Sequence, residues 1–184
     1  MENHNEADER LMQLVARGKR DHLATLVRRY ASPLLTFIQR MIGDRHRSEE
    51  LFQEVFLAVW TRRRTYKHPR SFRSWLFAIA LNRCRADFRR PVTVSLPPED
   101  IEVAATVGHD PSPAEAAIAS ETATLVAAAV AQLSPLHRSV VVLRVFNGLS
   151  YREIADSVDR AEGTVRSQMF HALASMRKYL EPRL

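Results

Sequence analysis

The sequence of 184 residues has little of several features on which common protein classes depend. Its single cysteine, Cys84, excludes an internal disulfide and a cysteine-ligated metal cluster, and it fits a reducing compartment such as the cytoplasm. No run of about 18 apolar residues occurs, so no membrane-spanning helix is predicted. The first ten residues lack a basic segment followed by an apolar one, so no secretory signal is predicted.

Glycine is also scarce, at five residues, whereas alanine-rich stretches are frequent. This composition favours helices, and apolar residues recur at helical spacing towards both ends of the chain. We predict an all-α protein with two small helical domains, at residues 1–90 and 113–184. The acidic, proline-containing segment 91–112 is predicted to be a flexible linker. Within the first domain, Ser48 is expected to cap a helix, and Ser32-Pro33 to restart or kink one.

The net charge of +6 is distributed unevenly along the chain. Residues 1–90 carry a net charge of +9, residues 91–123 carry −6, and residues 124–184 carry +3. Two basic segments indicate a polyanionic partner, because neutralising phosphates releases their counterions. A solvated basic surface would show the same excess of charge, so the motifs have to distinguish the two interpretations.

A short helix, a tight turn and a longer helix are predicted near the end of the chain. Ser150 and Glu153 have the spacing of a capping box, which begins the short helix, and Asp159 lies at the turn, where a left-handed backbone is needed. Apolar residues at helical spacing line the inner faces of both helices. They are Leu149, Ile154, Ala155, Val158, Val165, Met169, Leu173 and Met176. This pattern predicts a helix-turn-helix.

The outer face of the second of these helices carries side chains that can bind base edges or phosphates. They are Thr164, Arg166, Ser167, Gln168, Phe170 and His171. An ordinary helical hairpin with a polar outer face would show the same periodicity. The pattern alone therefore favours DNA binding without establishing it.

Aromatic and basic residues alternate between positions 62 and 75. Aromatic rings stack on unpaired bases and cations bind phosphates, so this combination favours single-stranded or melted DNA over closed duplex. Tyr66 lies in a predicted loop and is expected to be exposed. The alternative is that the aromatic residues pack the core, as is expected of Leu76 and Ile79.

Five segments, taken together and in order, resemble one family. In the first domain they are EELFQEVFLAVW at 49–60 and SFRSWLFAIALN at 71–82. In the second they are LSP at 133–135, GLSYREIA at 148–155 and GTVRS at 163–167. The chain resembles the bacterial RNA polymerase sigma factors of the extracytoplasmic-function group, the minimal two-domain members of the sigma-70 family. The resemblance covers nearly the whole chain apart from the linker.

The resemblance implies roles for three groups of residues. Those that would dock on the polymerase clamp and flap are Glu50, Leu51, Gln53, Glu54, Phe56, Val140 and Arg144. Those that would hold the unwound −10 strand, with Asn82 at the pocket for a flipped-out base, are Tyr66, Lys67, Phe72, Arg73, Trp75 and Asn82. Those on the helix that would enter the −35 major groove are the outer-face residues Thr164, Arg166, Ser167, Gln168, Phe170 and His171.

Some residues depart from the family pattern. Arg47 stands where the family often has an acidic residue, which predicts a weaker or differently regulated clamp contact. Gln168 and His171 stand where arginine is frequent, so no −35 sequence is predicted from them. Asp159 replaces a usual glycine at the turn.

The leading hypothesis is a promoter-specificity subunit for a stress or envelope regulon, which acts with core RNA polymerase, promoter DNA and an anti-sigma factor or another regulatory protein. No enzyme activity, metal, cofactor or small-molecule substrate is predicted, because the seven histidines show no close metal-ligand spacing and no glycine-rich phosphate loop occurs. One alternative is a stand-alone helix-turn-helix regulator that binds duplex DNA unaided, and another is a pure interaction module.

Overall fold

The computed structural model describes residues 7–68, 70–89 and 113–183, and every regular element in these ranges is helical. The α-helices are α1 Asp8–Ala16, α2 Asp21–Ile42, α3 Arg45–Thr61, α4 Phe72–Phe88, α5 Pro113–Ala131, α6 Pro135–Val141, α7 Tyr151–Val158 and α8 Glu162–Leu180. Short 3-10 turns lie at Arg63–Thr65 and Glu181–Arg183, and a π-helical turn, Val142–Phe146, extends α6. The all-α prediction is confirmed, whereas the predicted linker at 91–112 lies outside the described residues. None of the described helices combines the length and the apolar character needed to cross a lipid bilayer.

Three helices begin directly after a serine that caps them, and Ser150 is the cap predicted from the capping-box spacing. The side-chain oxygens of Ser71, Ser134 and Ser150 each accept a hydrogen bond from the backbone N–H three residues further on, at 3.2–3.4 Å. Ser150 N–H also donates to Glu153 Oε2 at 2.8 Å, which completes the predicted capping box. Asp159 ends α7 in the predicted left-handed conformation, with φ 55°.

The cap expected at Ser48 is wrong, and α2 does not restart at Ser32-Pro33. Asp44, and not Ser48, caps α3, because Asp44 Oδ1 accepts from Arg47 N–H at 2.6 Å. Ser48 is buried one turn further on and donates to the Asp44 carbonyl at 2.5 Å. Helix α2 continues through Pro33, which removes one backbone donor, because burial of the next turn, including Leu34 and Phe37, outweighs that loss.

The front half of the molecule, residues 7–89, has a core formed where α2, α3 and α4 cross. Its largest contacts are aromatic. The rings of Phe37 and Phe77 lie 5.3 Å apart, edge to face, and Tyr30 meets Phe72 in the same way at 5.3 Å. Helix α1 is fastened to α2 because Asp8 accepts a hydrogen bond from the Tyr30 hydroxyl at 2.6 Å.

The back half, residues 113–183, contains the predicted helix-turn-helix in α7 and α8. The inner positions that are buried are Leu149, Ile154, Ala155, Val158, Val165, Met169 and Ala172. Leu173 was expected among them and is instead 48% exposed. The inner face advances by four and then three residues from Val165, so it reaches Ala172 and leaves Leu173 on the neighbouring face.

The two halves are in contact, and their buried residues form one continuous apolar cluster. Helix α7 packs against α4, where Ser157 Oγ donates to the Ser74 carbonyl at 3.1 Å. Asn147 Nδ2 donates to the Pro33 carbonyl at 2.8 Å, and Arg138 Nη1 to the Met41 carbonyl at 2.6 Å. The helix-turn-helix therefore lies directly on the front half.

Candidate polymerase and promoter-DNA surfaces

The outer face of α8 presents most of the residues predicted to contact duplex DNA. Thr164, Arg166, Ser167, Phe170 and His171 are exposed, with Phe170 at 71%. They lie on the N-terminal half of the helix, which is the end that a helix-turn-helix inserts into a major groove. A hydroxyl pair, a guanidinium, an imidazole and an apolar ring are thus available to base edges and phosphates.

Arg166 is held in place on this face by two neighbours. Its Nη2 and Nε atoms donate to Glu162 Oε1 at 2.6 and 3.1 Å, and its guanidinium lies 4.5 Å from the centre of the Tyr151 ring. Gln168 differs from the rest of the set. It is half-buried, and among the described residues nothing donates a hydrogen bond to its buried Oε1 atom.

The aromatic residues predicted to hold the −10 strand are inside the front half. Tyr66 is only 7% exposed, so its predicted exposure is wrong. Its hydroxyl donates to the Arg70 carbonyl, and its ring meets Trp75 edge to face at 5.3 Å. Phe72 and Trp75 are buried with it, because the loop folds back over the start of α4 and satisfies the tyrosine hydroxyl internally. In this conformation none of the three rings is free to stack on a base.

Polar and basic residues of the same region remain at the surface. Lys67 and Asn82 are exposed as predicted for DNA contacts, and Arg62, just before the adjoining 3-10 turn, and Arg64, within it, are exposed as well. These two arginines could be found in the sequence only as part of the basic run. Arg73 is half-buried, and its Nη2 atom donates to the Asn147 carbonyl of the back half.

The predicted polymerase-facing side of α3 is acidic and carries one exposed apolar side chain. Glu50 and Gln53 are exposed and Glu54 is half-buried. Leu57, which the sequence reasoning missed, is 63% exposed. It follows Glu54 by three residues and Glu50 by seven, so all share one side of the helix, and this spacing was the signal that could have found it.

Two other predicted docking residues on α3 face inwards. Leu51 is buried in the core, and Phe56 is buried with its ring 5.1 Å from that of Phe52, edge to face. Their helical positions place them on the side of α3 that packs on the rest of the front half. They pack beneath the docking face and contribute little solvent-exposed area to it.

The predicted flap contacts in the back half are also divided between surface and core. Val140 is fully buried, so it is a core residue of α6 in this structure. Arg144 is exposed and donates to the Leu149 carbonyl at 2.9 Å, and its guanidinium lies 4.9 Å from the Tyr151 ring centre. The exposed apolar side chain of this segment is Val145.

Tyr66 and Cys84 are among the titratable groups of the front half whose pKa values are shifted by their surroundings. Burial, reinforced by nearby Glu9, raises the pKa of Tyr66 to about 12. Burial, with Asp87 close by, raises the pKa of the Cys84 thiol to about 12. Both groups are therefore protonated near neutral pH, and the thiol is a packed core group with little thiolate character.

Comparison with known proteins agrees with this arrangement. Residues 26–91 match the family model for sigma-70 region 2, and residues 123–176 match that for sigma-70 region 4. The RNA polymerase sigma-H factor of Pseudomonas aeruginosa is 31% identical over 186 residues, which cover 97% of this chain and 96% of that protein. The ECF RNA polymerase sigma-E factor of Escherichia coli is 27% identical, over 95% of each chain. The chain belongs to the extracytoplasmic-function group of the sigma-70 family.

Two solved structures share the fold of this chain. CnrH, in complex with the cytosolic domain of CnrY, superposes with a TM-score of 0.73 at 24% identity, over 96% of this chain and 99% of CnrH. RpoE of Bartonella quintana, in complex with the anti-sigma factor NepR, gives a TM-score of 0.67 at 18% identity, over 88% and 98%. At these identities the likeness establishes the fold.

Membership of this family indicates the general function of this chain. Proteins of the family are DNA-binding regulatory subunits of RNA polymerase that confer promoter specificity. The region 2 match covers α3 and α4, and the region 4 match covers the second part of α5, all of α6 and α7, and α8 up to Met176. Each half of the molecule thus carries one of the two regions.

Proposed function

We propose that this chain binds core RNA polymerase through α3, duplex −35 DNA through α8, and the separated −10 strand through α4 and the loop before it. The observation that carries the proposal is the exposed face of α8, where a fixed Arg166 stands among hydroxyl and imidazole groups. The acidic face of α3 supplies the second surface, which suits a basic partner. Polymerase supplies the enzymology, and this chain acts in the cytoplasm.

The same proposal requires the two halves to separate on a promoter. The names −10 and −35 place the elements about 25 base pairs apart, which is about 85 Å of duplex at roughly 3.4 Å per step. A compact chain of this length has a radius of gyration of only about 16 Å. Arg70 and Arg73 of the loop and α4 also donate to back-half carbonyls here, those of Asp156 and Asn147. The contact between the halves therefore opens before both elements are bound.

A protein antagonist that holds this chain away from polymerase also forms part of the proposal. CnrH and Bartonella quintana RpoE, which share the fold, were solved in complex with the cytosolic domain of CnrY and with the anti-sigma factor NepR. A protein that bound both halves and held them together would prevent the separation described above. The regulon is proposed to be one of stress or envelope genes.

The test is reconstitution of transcription from purified components. The full chain is mixed with sigma-free core polymerase and a library of promoter fragments, and transcripts are sequenced. We expect specific start sites that depend on the chain, and weak duplex binding by the chain alone. Tight, specific duplex binding without polymerase, together with no effect on transcription, would instead favour a stand-alone helix-turn-helix regulator.

A further inference from the structure

A single arginine links three carboxylates at the acidic face of α3. Arg47 Nη1 donates to Glu50 Oε2 at 2.6 Å and to Glu54 Oε1 at 3.3 Å, and its Nε donates to Asp87 Oδ1 at 2.7 Å. The Arg47 side chain is only 21% exposed. The planar guanidinium therefore donates hydrogen bonds to three carboxylates at the same time.

The placement of these groups follows from helix geometry. Arg47, Glu50 and Glu54 are separated by three and four residues, so they lie along one side of α3, whereas Asp87 comes from α4. Burial disfavours the charged guanidinium, but its hydrogen bonds to Glu50 and Asp87 outweigh this effect and the pKa of Arg47 lies above its ordinary value. Arg47 is therefore a permanent cation among the carboxylates.

Glu50 and Glu54 are two of the groups that the proposed function assigns to polymerase docking. A basic partner surface must compete with Arg47 for their oxygens, and Arg83 also approaches Glu54 Oε2, at 3.4 Å. We propose that Arg47 is a positioning residue that partly neutralises the α3 docking face and so slows association with core polymerase. This inference rests on the proposed function of α3. A charge at the edge of an interface acts mainly on the association rate and on its dependence on salt.

The experiment measures the association rate of the full chain with sigma-free core polymerase at increasing ionic strength. We expect Arg47→Gln to associate faster than wild type, by roughly threefold to tenfold at low salt. The difference should disappear in about 1 M salt, where the Debye length is about 3 Å. Arg177→Gln is the matched control, because it removes the same charge from an exposed ion pair, with Glu181, on the distant helix α8. This control should associate at the wild-type rate.

Two further variants separate charge from structure, with thermal unfolding measured for each. Arg47→Lys retains the positive charge but loses the branched guanidinium. Its association rate should therefore stay close to that of wild type even if its unfolding temperature is lower. In a Glu50→Gln/Glu54→Gln background, the added Arg47→Gln change should have no effect on association, because the two docking carboxylates that Arg47 neutralises are gone.

The outcomes distinguish this inference from the proposal on which it rests. If wild type binds core polymerase and Glu50→Gln/Glu54→Gln weakens that binding, the docking face is supported. An Arg47→Gln rate equal to or below that of wild type would then overturn the role of Arg47 alone, as would an acceleration that persists in the double-glutamine background. If wild type does not bind core polymerase at all, both proposals fail.

Discussion

Arg166 is fixed on the surface of α8 before any DNA is bound. Its partners, Glu162 and Tyr151, come from one helical turn earlier and from the start of α7. Much of the rotamer entropy that an arginine loses on binding is therefore already lost in the free protein. Such a side chain suits recognition of a base edge, because a bidentate contact requires a defined orientation.

Replacement of Arg166 by alanine should reduce discrimination between −35 sequences. We expect Arg166→Ala to lose about 1–3 kcal/mol of preference for the best −35 sequence over its single-base variants. Competition binding of holoenzyme to a set of duplexes measures this preference. Arg177→Ala, an exposed arginine on the same helix, is the control and should leave it unchanged. Equal weakening on every sequence would show that Arg166 contacts only phosphates.

Tyr66 makes folding sensitive to alkaline pH. A tyrosine in an unfolded chain loses its proton near pH 10, whereas burial raises the pKa of Tyr66 to about 12. The stabilisation is complete below pH 10 and is lost as pH rises through 12, because between these values only the folded state retains the proton. Tyr66→Phe should therefore show a shallower loss of stability than wild type over this interval. Denaturant unfolding at a series of pH values measures it, and parallel curves would contradict the buried position.

Helix α7 has eight residues and depends strongly on its first turn. A helix this short is marginal alone, so its capping box and its packing on α8 and α4 stabilise it. Ser150→Ala should lower the free energy of unfolding by about 1 kcal/mol. Ser175→Ala, an exposed position within α8, should not lower it. Urea unfolding of both variants measures the difference, and equal effects would mean that the cap contributes nothing specific.

Helix beginnings could be predicted where the signal is local. A serine followed three residues later by a free backbone N–H forms its cap within one turn, so Ser71, Ser134 and Ser150 could be identified without the rest of the fold. Pro33 shows the limit of such rules. Whether a proline breaks a helix depends on how much apolar surface the following turn buries, and that is set by α3 and α4.

The sequence predicted the exposed residues of some candidate surfaces correctly and those of others incorrectly. The outer face of α8 follows from periodicity, so most of its exposed residues are found from the sequence. The aromatic residues before and within α4 give the same sequence pattern whether their rings stack on bases or pack against one another. Their burial depends on the backbone of the loop, which returns Tyr66 towards Trp75 and provides the Arg70 carbonyl as acceptor.

The contact between the halves had no sequence signal at all. The Ser157 hydroxyl joins α7 to α4, and the Asn147 and Arg138 side chains join the back half to α2. All three donate to backbone carbonyls, and carbonyls are present at every residue. Only the half-buried and buried polar groups, Arg138 and Asn147 among them, distinguish this surface from ordinary helix faces. This arrangement hides Arg73 and the start of α4 behind the helix-turn-helix.

A reversible cross-link between the halves should prevent promoter binding. Ser157 Oγ lies 3.1 Å from the Ser74 carbonyl, so a Ser74→Cys/Ser157→Cys variant places two thiols at the α4–α7 contact. We expect the oxidised variant to support no promoter-specific transcription and the reduced one to be active. Each single-cysteine variant, treated with the same oxidant, is the control. Full activity of the oxidised variant would show that the halves need not separate.

The division of work between the halves can be tested with holoenzyme on two DNA ligands, a duplex with only the −35 element and a single-stranded −10 oligonucleotide. Asn82→Ala should weaken binding to the single strand by about tenfold and leave the duplex unaffected, whereas Arg166→Ala should do the reverse. If both variants lost affinity for the same ligand, or if neither ligand bound holoenzyme more tightly than core polymerase, the division of work described for this protein would be wrong.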